Sequence, residues 1–147
     1  LEANAHEKAV TIFNLTHQNC FSEDTGLEIV ALNGAPGVKS ARYAGENSNA
    51  QANIDLVLSK MAGIENRTAQ FRTVICLIWE NQTYYFEGVC KGQILSNMQG
   101  ENGFGYDPIF VPDGASKSFA NMTMEEKNQF SHRKKAVAQL FEFLDKV

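Results

Sequence analysis

Phe71-Arg72-Thr73-Val74-Ile75-Cys76-Leu77-Ile78-Trp79 is the stretch on which the fold turns. Its density of β-branched and apolar residues reads as a buried strand. Asn81-Gln82 then offers a tight turn, and Thr83 to Val89 resumes with aromatic residues, so the region is expected to be a hairpin of long strands. Lys91-Gly92-Gln93-Ile94 is expected to continue the sheet past a bulge. Upstream, Ala5, Ala9, Ile12 and Phe13 share one helical face between Ala3 and Thr16, with Glu7 and Lys8 turned outward. Cys20-Phe21-Ser22 and Leu27-Glu28-Ile29-Val30 read as short strand segments, with Glu23-Asp24-Thr25-Gly26 as a polar loop between them. Asn33 to Gly37 is rich in turn residues and Ser40 to Asn49 is polar, which predicts an extended surface loop. From about Asn49 to Met61, the positions Ile54, Val57, Leu58 and Met61 define a helix that Gly63 stops. Thr123 and Glu126 have capping-box spacing, and Val137, Leu140, Phe141 and Leu144 form an apolar stripe on a terminal helix. This order suits an α/β sheet of mixed direction in one domain over residues 1–147, without repeats or an internal boundary.

The chain is long enough for a sizeable core, and its apolar and charged fractions are ordinary for a soluble protein. No run approaches the roughly 18 apolar residues of a membrane span, and the first residues lack the order of a signal peptide. The three cysteines, Cys20, Cys76 and Cys90, are widely spaced and form no CxxC or Cys/His cluster, so a reducing cytoplasm fits best. A formal net charge of −4 argues against general nucleic-acid binding, so any phosphate ligand must be held locally.

Three segments can carry chemistry. In Glu23-Asp24-Thr25-Gly26, hard carboxylate oxygens suit magnesium, and Asp24 can hold the ion and orient or deprotonate a water; an acidic turn is the structural alternative. In Gly100 to Pro108, the glycines let backbone approach a ligand, an aromatic ring can stack on a base, and Asp107 can accept hydrogen bonds from a sugar or base edge. A glycine-rich hairpin loop capping the core accounts for the same residues, and no Gly-Lys-Ser/Thr follows to make a P-loop. The third is Lys127, Ser131, His132, Arg133, Lys134 and Lys135, at or just before the last helix. Cations at a helix N-terminus oppose its dipole but suit a polyphosphate receptor. Lys134 and Lys135 read instead as a solvated face. His6 and His17 are expected at the surface, Cys76 in the core, and Trp79 in packing or an interface.

Glu23 to Glu28, Leu32-Asn33-Gly34-Ala35-Pro36-Gly37-Val38, Ser40 to Glu46, Gly103-Phe104-Gly105-Tyr106-Asp107-Pro108 and Ser131-His132-Arg133 together resemble, in order and spacing, the inosine/xanthosine triphosphate pyrophosphatase family. The resemblance implies an elongated mixed β-sheet with flanking helices, in two lobes around a nucleotide-binding cleft. It implies a magnesium-dependent, cytoplasmic homodimer that hydrolyses ITP, dITP and XTP to the nucleoside monophosphate and pyrophosphate. It makes Asp24 the catalytic base and a metal ligand, with Glu2 as a second ligand, displaced by one position in Glu2-Ala3-Asn4-Ala5. Thr25, Phe104, Gly105, Tyr106, Asp107, Lys127, His132 and Arg133 become substrate contacts: base and sugar at 104–107, phosphate at Lys127. It also implies a strand and a Thr/Ser-Gly-Asn…Lys phosphate loop before Leu1, so the domain reads as N-terminally incomplete. A nucleotide-binding domain without turnover is the alternative.

Overall fold

The hairpin forms as a continuous ladder in the computed structural model, which describes residues 1–47, 49–100 and 105–147. Strand β2 (Thr68–Trp79) pairs antiparallel with β3 (Gln82–Ile94) from Thr68↔Gln93 to Trp79↔Gln82. The turn falls on Glu80-Asn81, one residue earlier than expected, and both residues have positive φ, 49° and 63°. A two-residue turn of this kind needs φ > 0 twice, which Asn tolerates well. Asn19 secures the other member: the Glu80 N–H donates to its Oδ1 at 2.8 Å, and its Nδ2 donates to Glu80 Oε1 at 2.9 Å. The expected bulge near Gly92 is absent from this unbroken register. Gly92 instead makes room for a neighbour, since a Cβ there would lie 2.3 Å from the Val111 carbonyl oxygen.

Strand β1 (Cys20–Ile29) pairs with β2 along its whole length, so Glu23 to Gly26 lie mid-strand rather than in a loop. Their polar groups find partners there, which removes the reason for the chain to leave the sheet. With β4 (Phe110–Pro112) the order is β1-β2-β3-β4, and the ladders of the described residues are antiparallel. Helix α1 (Glu2–Thr16) packs Ala5 and Ala9 on Val74, Cys76 and Ile78 at one face. Helix α4 (His132–Asp145) covers Ile75 and Leu77 on the opposite face with Ala136 and Leu140. Phe141, assigned to this stripe from its spacing, is 60% exposed. Phe143 takes its place, its ring 4.5 Å from Tyr84.

Beyond α4 on that face lies the larger core, where Leu27, Ile29, Phe71 and Ile94 meet Ile54, Val57 and Met61 at the end of α2 (Ala50–Lys60). Asn49 caps α2 by accepting from the Ala52 N–H at 3.0 Å. The expected surface loop is folded against this core: Gly37–Arg42 forms a 3-10 helix in which Ser40 is buried. Ser40 accepts from the Leu27 N–H at 2.9 Å, and Asn53 receives the Ala44 N–H at 2.8 Å, so polar side chains do the anchoring that apolar periodicity cannot reveal. The α/β class with flanking helices therefore holds, but the described ladders are all antiparallel rather than of mixed direction, because consecutive strands return beside one another; a cleft opens between α4 and α2.

Candidate active site

The cleft floor is a row across three strands: Thr25 pairs with Thr73, and Thr73 with Gly88. The Thr25 and Thr73 hydroxyls are hydrogen-bonded at 2.8 Å, and Thr73 is fully buried. Above Gly88 sits the first turn of α4, so close that a Cβ there would lie 1.8 Å from the His132 carbonyl oxygen and 2.7 Å from the Ala136 nitrogen. Absence of a side chain at this point lets the helix rest on the sheet. Ser131 caps it, its Oγ accepting from the Lys134 N–H at 3.1 Å.

Between α4 and α2 is a cavity of about 750 Å³, within the range of small-molecule sites. Of the residues expected to contact substrate, Thr25, Gly105, Tyr106, Asp107, Lys127, His132 and Arg133 line it. Phe104 lies outside the described residues. Asp107 is 6% exposed and accepts from the Lys127 ammonium at 2.7 Å; that ammonium also lies 5.7 Å from the Phe119 ring centroid. The Tyr106 hydroxyl donates to the Ser40 carbonyl at 2.6 Å, and burial pushes its phenol well above the ordinary range. Tyr106 is therefore a wall residue, with its proton committed.

Arg133 is half exposed and forms an ion pair with Glu23, its Nε 3.0 Å from Oε1. His132 lies flat against Phe71, with ring centroids 5.2 Å apart and planes 16° from parallel. Burial first, then the charges of Arg133, Lys127 and Lys135, holds its imidazole down to about 4, so it is neutral at physiological pH. Of the two lysines read as solvated, Lys135 is exposed and donates to the Val89 carbonyl at 2.9 Å, while Lys134 borders the cavity.

Asp24 and Glu2 are not in the cavity lining. Strand alternation turns Asp24 to the α1 face while Thr25 faces α4. Lys8 on α1 reaches the same place, its ammonium donating to the Glu23 carbonyl at 3.0 Å and lying 3.5 Å from Asp24 Oδ1. Asp24 Oδ2 is buried with no hydrogen-bond partner. Glu2 is on this face too, 3.0 Å from Arg72, which also pairs with Glu28 at 3.2 Å and Glu87 at 2.9 Å. The hydrogen bond from Arg72 is the main cause of a lowered Glu2 carboxyl pKa. No group of three or more His, Cys, Asp and Glu among the described residues is arranged to hold a metal. Asp24, with one desolvated carboxylate oxygen that has no hydrogen-bond partner, has the donor chemistry of a magnesium ligand, whereas the Glu2 carboxylate is paired with Arg72.

Phe71, Ser40 and Phe119 also line the cavity, and none of them was singled out from the sequence as a candidate site residue. Phe71 had only its strand pattern to mark it, and Ser40 and Phe119 reach the cleft through tertiary packing.

The cleft, with Phe71 and Phe119 in its lining and Lys127, Arg133 and Lys134 along it, is carried on an α/β scaffold shared with known proteins. Residues 1–143 match the Ham1 family, and the chain belongs to that family. It is 49% identical over 144 residues to the dITP/XTP pyrophosphatase of Flavobacterium johnsoniae, covering 98% of this chain and 75% of that protein. The dITP/XTP pyrophosphatase of Porphyromonas gingivalis is 50% identical over 145 residues, covering 98% of this chain and 75% of that protein. The structure of the Staphylococcus aureus Ham1 protein superposes with a TM-score of 0.95 at 42% identity, over 99% of this chain and 76% of that one.

Proposed function

We propose that this protein hydrolyses non-standard purine nucleoside triphosphates, ITP, dITP and XTP, to the monophosphate and pyrophosphate. The observation that carries this reading is the single cavity in which Thr25, Tyr106, Asp107, Lys127, His132 and Arg133 converge from four separate segments.

On this reading the purine lies on the α4 side of the cleft, beside His132 and Arg133, which both line the cavity. There Arg133, a fixed donor, pairs with a keto oxygen and is left unpaired by the amino group of adenine, which rejects ATP. Lys127, expected on phosphate, is tied to Asp107. The pair acts on one part of the ligand, the base and sugar. Thr25 and Asp24 are neighbours on opposite faces of β1, so a ligand that touches both runs over the edge of that strand. The base is thus selected on one face and the phosphates reach the other.

Asp24 takes the proton of the attacking water at Oδ2, the oxygen that no protein donor occupies. The bond between the α- and β-phosphates breaks, and pyrophosphate leaves with the electron pair. Asp24 would hold magnesium, which supplies charge neutralisation at the phosphates and acidifies a bound water. We infer a cytoplasmic homodimer from the same resemblance; the structure itself has no helix long and apolar enough to cross a membrane among the described residues.

The test is incubation of the full-length protein with ITP and magnesium. IMP and pyrophosphate in equal amounts are expected. Orthophosphate as the first product, or binding without release, would reject the reading, and equal rates with ATP would reject its base selection.

A further inference from the structure

We propose that Phe71 is a positioning residue for the imidazole of His132, and through it a determinant of base selection. The inference rests on the proposed function, in which His132 is a substrate contact, and takes that contact, next to Arg133 in the cavity lining, to be with the base. A histidine in a binding site is ordinarily oriented by a hydrogen bond from the ring nitrogen that does not face the ligand. His132 lacks that device: its Nδ1 is buried without a partner, and none of the hydrogen bonds among the described residues involves its side chain. Its ring plane is set instead by the face of Phe71, at 5.2 Å and 16°.

Phe71 is itself immobilised. It is 8% exposed, stacked on Phe119 at 5.9 Å and 28°, and met edge-on by Phe110 at 4.6 Å and 63°. Its backbone is paired on both sides, to Leu27 and Cys90. On the other side of the stack, the His132 backbone is seated on Gly88. Two fixed elements thus present two rings to each other, and the stack transfers the rigidity of the core to the imidazole. A neutral imidazole carries one donor and one acceptor in its plane, so the angle of that plane decides which purine edge it meets. Burial against Phe71 also strips water from the ring, which favours the neutral form that this role requires.

The test compares Phe71→Met, which keeps apolar bulk but removes the ring face, with His132→Ala and the full-length wild type. KM and kcat for ITP are read together with the ring-proton resonances of His132. In the wild type those resonances are expected upfield of an exposed histidine, shifted by the Phe71 ring. In a folded Phe71→Met protein they should return toward ordinary positions. KM should rise about two- to tenfold, the equivalent of one aromatic pair, with kcat within about twofold. A folded Phe71→Met protein with wild-type KM, beside a His132→Ala protein whose KM is raised, would overturn the positioning role and leave the base contact standing. A raised KM without movement of the His132 resonances would also overturn it. Wild-type KM in His132→Ala would defeat the base contact and, with it, this inference. Should Phe71→Met fail to fold, the wild-type spectrum decides: upfield resonances support the stack, and ordinary ones reject it.

Discussion

Gly88→Ala probes the geometry of the site without touching any group that meets the ligand. The added Cβ would stand 1.8 Å from the His132 carbonyl oxygen, and real carbons essentially never come within 3.0 Å, so the first turn of α4 must retreat by about 1.2 Å. Neither backbone gives way easily here, because Gly88 is held in the ladder opposite Thr73 and Ala136 is fully buried. Forced overpacking of this kind costs about 1–3 kcal/mol of stability. The functional cost is larger, because His132 and Arg133 move with the turn, and a misplacement of about 1 Å at a reacting constellation costs on the order of a hundredfold in rate. The assay pairs pyrophosphate release from ITP with a thermal melt. Expected are a melt lowered by several degrees, with folding retained, and kcat/KM down about a hundredfold. A folded variant within about twofold of wild-type kcat/KM would show that the close approach at Gly88 does not set the position of the substrate residues.

Asp24→Asn should lower kcat by at least about a hundredfold, the scale of a lost general base, while its melt stays near wild type because the 3.5 Å contact to exposed Lys8 contributes little; retention of a tenth of the rate would remove Asp24 from that role. Arg133→Ala should reduce the ITP-over-ATP ratio in kcat/KM by about tenfold or more, and an unchanged ratio would place selection elsewhere. Thr73→Val should raise KM for ITP and cost about 1 kcal/mol in urea melts, because the Thr25 hydroxyl loses its 2.8 Å partner, while Thr73→Ser restores both; equal KM values in the two variants would contradict the role of the pair. Acid stability follows from His132, whose folded value is about 4 against 6.5 unfolded. As pH falls, the unfolded chain takes up this proton first, so the contribution is complete above 6.5 and lost progressively toward 4, amounting to at most about 3 kcal/mol. His132→Gln should flatten the stability profile in that window, and an unchanged slope in urea melts would refute the assignment.

The parts of the fold that read clearly from the sequence are those whose signal is local. Periodicity located α1, α2 and the hairpin, and Thr123 with Glu126 form the capping box at α3 (Met124–Asn128). The terminal stripe misled at Phe141 because Val137, Leu140, Phe141 and Leu144 satisfy helical spacing equally well around more than one axis, and only the approach to Gly88 selects Ala136 and Leu140 as the buried side. Ser40 to Asn49 read as a surface loop, and Ala41, Arg42 and Ala44 to Asn47 are exposed; what its polarity hid is that Ser40 is buried and that Asn53 of α2, also buried, ties the 3-10 segment to that helix. The cleft residues were legible as motifs, while Phe71 was not, since an aromatic residue in a buried strand looks the same whether it faces packing or a ligand.

The reassignment of Glu23 to Gly26 from loop to strand matters most for the chemistry. In a loop, Asp24 and Thr25 are free to face one ligand from the same side. In a strand they cannot, and alternation assigns Glu23 and Thr25 to the α4 face and Asp24 to the α1 face. Consecutive residues are thereby divided between two tasks. Glu23 holds Arg133, Thr25 borders the cavity, and Asp24 keeps an unpaired oxygen on the far side. Lys8 joins the two tasks, since its ammonium meets both the Glu23 carbonyl and Asp24 Oδ1.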